Sequence, residues 1–245
     1  VTVRDHFGET MTADETRPFI TFYDDTTGER TELSYVTSAN WMNKTANLCV
    51  DLASLEPGDT VAVDMPAHWL TATVMLGCWM AGLRIAHEPA SVPVAFTSAD
   101  RCRSDKALAA DEVWAVELAP MAVGLRPGPA MEAGAEDFLA QVRGCGDFFT
   151  PPAPVTGAEV ALTAMPGRGP KELTHDQVMS AAKDRAGEMG VGRDERVLMT
   201  TQGRAPLDWL LVPIAVGASV VLVAGDGSGA DLAKRAQTER ARLIP

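Results

Sequence analysis

The chain has 245 residues, 46% of them hydrophobic and 22% charged, a profile of a globular protein long enough for one large α/β domain or two small ones. Its net charge of −12 works against nucleic acid, which is bound by neutralising phosphates with Lys and Arg, and against an anionic membrane surface. No apolar run approaches the ~18 residues of a membrane span, and Cys49, Cys78, Cys102 and Cys145 are too widely spaced for a disulfide framework or a zinc site, so the sequence reads as cytoplasmic with reduced thiols.

Phe19–Asp24 and Glu32–Tyr35 are short β-rich runs on either side of Asp25-Thr26-Thr27-Gly28-Glu29, and together they predict a β-hairpin. Ser34 stands where it can cap a helix running to about Ala53, with Val36, Ala39, Met42, Ala46, Cys49 and Val50 on the apolar face. Glu56-Pro57-Gly58-Asp59 breaks that helix, and Thr60–Met65 follows as a strand. The next helix spans Trp69–Ala81 and closes at Gly82, a glycine placed for a left-handed cap; Leu83–His87 is then a strand. Val94–Thr97 and Glu112–Leu118 read as strands, with Ala107–Ala110 ending a short helix between them. Pro120–Gly134 reads as a surface loop and Ala135–Val142 as a short helix. The Pro-rich connection Phe148–Gly157 suggests an N-terminal subdomain, residues 1–150, and a second subdomain, residues 151–245, unless the two form one continuous domain.

Val160–Thr163 is the next strand, and a helix opens at Thr174 with Gln177 at the capping-box spacing. Arg196–Thr201 and Ala218–Val223 are strands around a helix near Pro206–Val216. Gly225–Gly229 is a turn and Leu232–Arg242 a final helix. This alternation predicts an α/β fold with largely parallel sheets and helices on both faces. Trp41, Trp69, Trp79, Trp114 and Trp209 lie in apolar segments and read as core. His6, His68, His87 and His175 never fall at paired metal spacing. His87 reads as a turn residue, and His175 suits a solvated position at least as well as a catalytic one. Gly-x-Ser-x-Gly is absent, and no catalytic residue is singled out.

The most informative stretch lies between the strand ending at Thr163 and the helix opening at Thr174. A strand, a Gly-bearing loop and a helix aim backbone N–H groups at an anion. The Thr163 hydroxyl, the backbone at Gly167 and Gly169, and the charges of Arg168 and Lys171 are the groups that could hold a phosphate. Around them, Pro166 removes a backbone donor, Ala164 and Met165 supply no side-chain donor, and Met165 is bulky where a glycine would let a ligand approach. Weak binding of ATP or AMP is the most these residues support, and taken alone the loop reads better as an exposed Gly/Pro turn with a solvated Lys171.

Leu33-Ser34-Tyr35 at a helix start, the strand Gly58-Asp59-Thr60-Val61-Ala62, the helix end Met80-Ala81-Gly82-Leu83, and Thr163, Pro170 and Lys171 carry a resemblance. The chain resembles the N-terminal half of the adenylate-forming superfamily of acyl-CoA synthetases, luciferases and peptide-synthetase adenylation domains. In that family the loop reads Thr-Ser-Gly-Thr-Thr-Gly-x-Pro-Lys-Gly, so the hydroxyl and glycine run is what this chain has lost. Ile85-Ala86-His87-Glu88-Pro89 also departs from the family's Pro-Leu-Asn-Pro turn, and Thr200-Thr201-Gln202-Gly203-Arg204 lacks the aromatic and His of its acyl pocket. The resemblance implies a truncated, degenerate relative without adenylation activity of its own. Such a chain acts as a pseudoenzyme or as a small-molecule or protein binding module, with a nucleotide or acyl group as ligand. The alternative is one subunit of a split acyl- or aminoacyl-adenylating ligase completed by a partner chain. The family's sheet continues past the position of Pro245, so Arg196–Thr201 and Ala218–Val223 need a cover: the last helix folding back, or a second copy of the chain. The homodimer is the favoured expectation, because one short helix with several Arg residues covers little apolar area.

Overall fold

The structure is a computed structural model that describes residues 1–86, 91–121, 123–163, 172–228 and 231–245. In chain order its elements are α1 (Val3–Ala13), β1 (Pro18–Asp24), β2 (Glu29–Ser34), α2 (Tyr35–Asn47), β3 (Thr60–Asp64), α3 (Trp69–Met80), β4 (Arg84–Ala86) and β5 (Val92–Ser98). There follow α4 (Asp105–Leu108), β6 (Ala110–Val116), α5 (Pro129–Glu132), β7 (Glu136–Asp137), α6 (Phe138–Val142), β8 (Val160–Thr163) and β9 (Glu172–Thr174). The last are α7 (His175–Met189), β10 (Arg196–Thr200), α8 (Val212–Val216), β11 (Ser219–Val223), α9 (Leu232–Thr238) and β12 (Arg242–Leu243). The predicted α/β class and its mainly parallel sheets are present.

Two compact units share the chain. The first takes Val1–Ala39, Ala67–Ala72 and Asp176–Pro245; the second takes Asn40–Pro66 and Thr73–His175. Among the described residues the first unit holds a sheet ordered β12-β10-β11-β1-β2. Only the hairpin β1–β2 in it is antiparallel; β1, β11, β10 and β12 run parallel. Every residue of β11 is buried, as an interior parallel strand requires. The sequence reading left the N-terminal stretch unassigned. It is α1, opened by a capping box in which the Asp5 N–H donates to Thr2 Oγ1 and the Thr2 N–H to Asp5 Oδ2. Phe7 of α1, Phe19 of β1 and Tyr35 form a triangle of rings with centroids 5.0–5.1 Å apart. The Tyr35 hydroxyl donates to the Ala218 carbonyl at 2.9 Å, so the buried phenol has its partner, and burial raises its pKa well above the usual value.

The predicted helix near Pro206–Val216 is a π-helical stretch, Leu207–Leu211, continued by α8, which ends at Gly217 in the left-handed region (φ 68°). The last helix stops at Thr238, short of the predicted Arg242, because the chain turns at Arg240 and re-enters the sheet as β12. Leu198, Val221, Val223 and Ala236 form a buried cluster, with Leu232, Ala241 and Tyr23 at its margin. One cover expected from sequence for β10 and β11, the last helix folding back, is thus present in the chain itself.

The second unit holds a sheet ordered β7-β6-β5-β3-β4-β8-β9 among the described residues, parallel except for the final β8–β9 pair. Ser34 caps the helix that follows it, α2, as predicted, its Oγ accepting the Thr37 N–H at 3.2 Å. Within the second unit, α2 passes into a π-helical turn, Leu48–Leu52, and Gly77 of α3 lies directly against Thr45 of α2. The predicted cap at Gly82 is formed (φ 79°). The Pro120–Gly134 segment contains a one-turn helix, α5, where sequence indicated loop alone, because Pro129 at its first position is pre-set for helical φ. Trp69, Trp79, Trp114 and Trp209 are buried as predicted, while Trp41 is partly exposed.

Candidate functional site

The strand before the phosphate-like loop is β8. It pairs in parallel with β4, Ala86 opposite Thr163, and antiparallel with β9, Thr163 opposite Glu172. Thr163 therefore stands at the carboxyl end of a parallel strand, where open α/β sheets place their ligands. The other candidate residues, Gly167, Arg168, Gly169 and Lys171, lie outside the described residues, as do Ala164, Met165, Pro166, His87 and Glu88. Sequence predicted strand, loop, then helix. The structure inserts β9 between loop and helix, so the loop leaves and returns on one rung of a hairpin. Three residues, Glu172-Leu173-Thr174, are too few to show a strand period, which is why β9 escaped the sequence reading.

At the start of the helix that follows, one backbone amide is already in use. The His175 N–H, first in α7, donates to the Glu159 carbonyl at 3.0 Å and is committed to the hairpin stem. His175 itself is 1% exposed, against the expectation of a solvated residue.

The first unit holds a second polar constellation that sequence reasoning missed. Glu29, the first residue of β2, is buried with its carboxylate facing inward. Its Oε1 accepts from Thr31 Oγ1 at 2.6 Å and from Trp69 Nε1 at 3.1 Å. His68 lies opposite, its Nε2 3.9 Å from Glu29 Oε2 and its ring against Phe22 with centroids 4.2 Å apart. His68 Nδ1 accepts the Leu70 N–H at 3.1 Å, which places the proton of the neutral ring on Nε2, facing the carboxylate. Burial alone would raise the Glu29 pKa. The polar groups of His68, Thr31 and Trp69 outweigh it and hold the carboxyl below its ordinary range. No local signal marks this cluster, since Glu29 reads as a turn residue and His68 belongs to a different stretch of chain.

A third cluster ties α9 to the sheet. Arg196 Nη2 donates to Glu239 Oε2 at 2.6 Å, to Thr21 Oγ1 at 2.9 Å and to Glu32 Oε2 at 3.1 Å. Arg30 Nη2 reaches Glu239 Oε1 at 3.0 Å, and the Tyr23 hydroxyl donates to the same oxygen. Burial and then the Glu239 acceptor raise the Tyr23 pKa. This is a structural clamp whose groups bond one another.

No family model matches the chain. An acyl-CoA synthetase of Brucella canis superposes with a TM-score of 0.76 and 17% identity over 99% of this chain and 47% of its own. The N-terminal domain of FACL13 from Mycobacterium tuberculosis gives 0.70 with 14% identity, covering 98% of this chain and 61% of that one. The anthranilate CoA ligase AuaEII, solved with anthranoyl-AMP, gives 0.70 with 12% identity over 92% and 45%. The chain thus has the fold of the N-terminal portion of adenylate-forming enzymes and spans about half the length of those solved relatives. Among curated proteins, a TIGR03089 family protein of Mycobacterium tuberculosis is 36% identical over 245 residues, covering 96% of this chain and 93% of the relative. With identity at that level along almost its whole length, the chain belongs to the TIGR03089 family.

Proposed function

We propose that this chain uses the adenylate-forming fold as a binding module and does not adenylate by itself. The observation that carries the reading is the loop composition: Ala164, Met165 and Pro166 stand where a triphosphate needs hydroxyls, free N–H groups and close backbone approach. The hairpin around that loop supports it, because β9 comes between the loop and α7 and the first amide of α7 already has a partner. A phosphoryl site also needs charge compensation for the transferring group, and Arg168 and Lys171 supply two cations without the donor run between them.

The test is ATP–pyrophosphate exchange by purified protein with magnesium and a panel of carboxylic and amino acids. No substrate-dependent exchange is expected. Exchange by the chain alone that Lys171→Ala abolishes would overturn the reading. Exchange that appears only when a second polypeptide is added would instead identify one subunit of a split ligase.

A further inference from the structure

The first unit contains a cleft of about 420 Å³ between α1, the second half of α7 and the end of α8. Ile214, Ala215 and Val216 line one side; His6 and Glu9 of α1, Lys183 of α7 and Arg193 line the rest. The charge balance of this wall runs against that of the whole chain. Of the carboxylates around it, Asp194 and Glu195 already have cationic partners. Arg17 Nη1 holds Asp194 Oδ1 at 2.5 Å, and Glu195 is bonded by Arg242 and by the Gly192 N–H, while Glu9 lies 3.7 Å from His6 Nδ1 and is the one carboxylate among the described residues lining the cleft. Arg193 is left with a 3.8 Å contact to its already paired neighbour Asp194, both of them exposed. Two of the carbonyls at the end of α8, another source of negative potential, also have partners. Gly217 O accepts from Arg17 Nη2 at 2.7 Å and from the Asp194 N–H, and Pro213 O accepts from the Ala218 N–H at 2.8 Å.

The field inside the cleft has an internal reporter. Burial and then the nearby Lys183 charge lower the pKa of His6, against the opposite pull of Glu9 and Asp5, so the ring is neutral at pH 7. The charges lining the cleft are then Lys183, Arg193 and Glu9, a positive balance in a chain of net charge −12. We infer that this cleft is a binding site for a small organic anion with a short apolar body, a carboxylate or a phosphate monoester. The head lies between Lys183 and Arg193, and the body lies on Ile214, Ala215 and Val216. An apolar wall beside two under-compensated cations fits such a molecule better than it fits a bare ion, which gains nothing from the apolar side. The neutral His6 ring adds a nitrogen that takes a proton when the anion arrives.

The experiment follows the C2 proton of His6 by NMR as pH is varied, with the resonance assigned from a His6→Gln spectrum. Hexanoate, hexyl phosphate and inorganic phosphate are added separately at constant ionic strength. A saturable rise in the His6 midpoint with hexanoate or hexyl phosphate is expected, and the stronger of the two identifies the head group. Lys183→Ala should raise the His6 midpoint without any ligand, and Lys183→Ala and Arg193→Ala should each weaken binding about fivefold. Both side chains are exposed, and a far-ultraviolet circular dichroism spectrum checks that the fold is kept. No saturable response to either amphiphile, an equal response to inorganic phosphate, or variants that bind as well as the parent would each overturn the assignment.

Discussion

Glu29 shows how a buried charge is held at a single residue. Its carboxylate is kept ionised by Thr31, Trp69 and the Nε2 edge of His68. Glu29→Gln keeps the shape but removes the charge and leaves one of its partners facing an amide nitrogen. We expect a loss of about 1–3 kcal/mol in urea unfolding at neutral pH. The sign of the pH dependence follows from the direction of the shift. A carboxyl whose folded pKa lies below its ordinary 4.5 contributes stability that is fully present above that value. That stability is lost as pH falls through the folded value. The parent should therefore lose stability across this acid window faster than Glu29→Gln, and an equal slope for the two proteins would refute the assignment.

At the scale of elements, the closest approach of two helices depends on one missing side chain. A Cβ at Gly77 of α3 would overlap Thr45 Cβ and Cγ2 on α2 and stand 3.1 Å from the Met42 carbonyl. The obstacle includes backbone and a β-branched stem, neither of which can swing aside. Gly77→Ala should therefore cost about 1–3 kcal/mol despite the better helix propensity of alanine, and Gly77→Ala with Thr45→Ser should recover part of it. Denaturant midpoints of the two variants decide this, and a stabilised Gly77→Ala would show that the helices separate at no cost.

The same elements show what local pattern carries. The β1–β2 hairpin, the Ser34 cap and the Gly82 cap were legible because each rests on residues within a few positions of one another. Helix α1 was not, because Val3 and Phe7 are its only fully buried residues among those described and its box uses Asp5 in place of Glu or Gln. At the candidate site the residue types of the loop were legible, and so was the strand before it. The β9 return, the committed His175 amide and the meeting of Glu29 with His68 depend on pairing between separate segments, which no window of sequence contains.

For the whole molecule, the loss of phosphate-binding groups in the loop sets the expected nucleotide affinity. With Pro166 and Met165 in that segment, ATP should bind with Kd of about 1 mM or weaker, roughly −4 kcal/mol. Calorimetry on the chain alone checks this, and micromolar affinity would contradict it.

The pairing of β1 with β11 joins Ile20 to Val220 and Tyr23 to Val223. During synthesis the hairpin carrying Phe19, Ile20 and Phe22 leaves the ribosome long before its central partner strand exists. The second unit's strands, from Thr60 to Thr174, are by then complete and can pair among themselves. The apolar edge of β1 must therefore wait until the second unit and then β11 have been made, a delay that exposes it to chaperones and to aggregation.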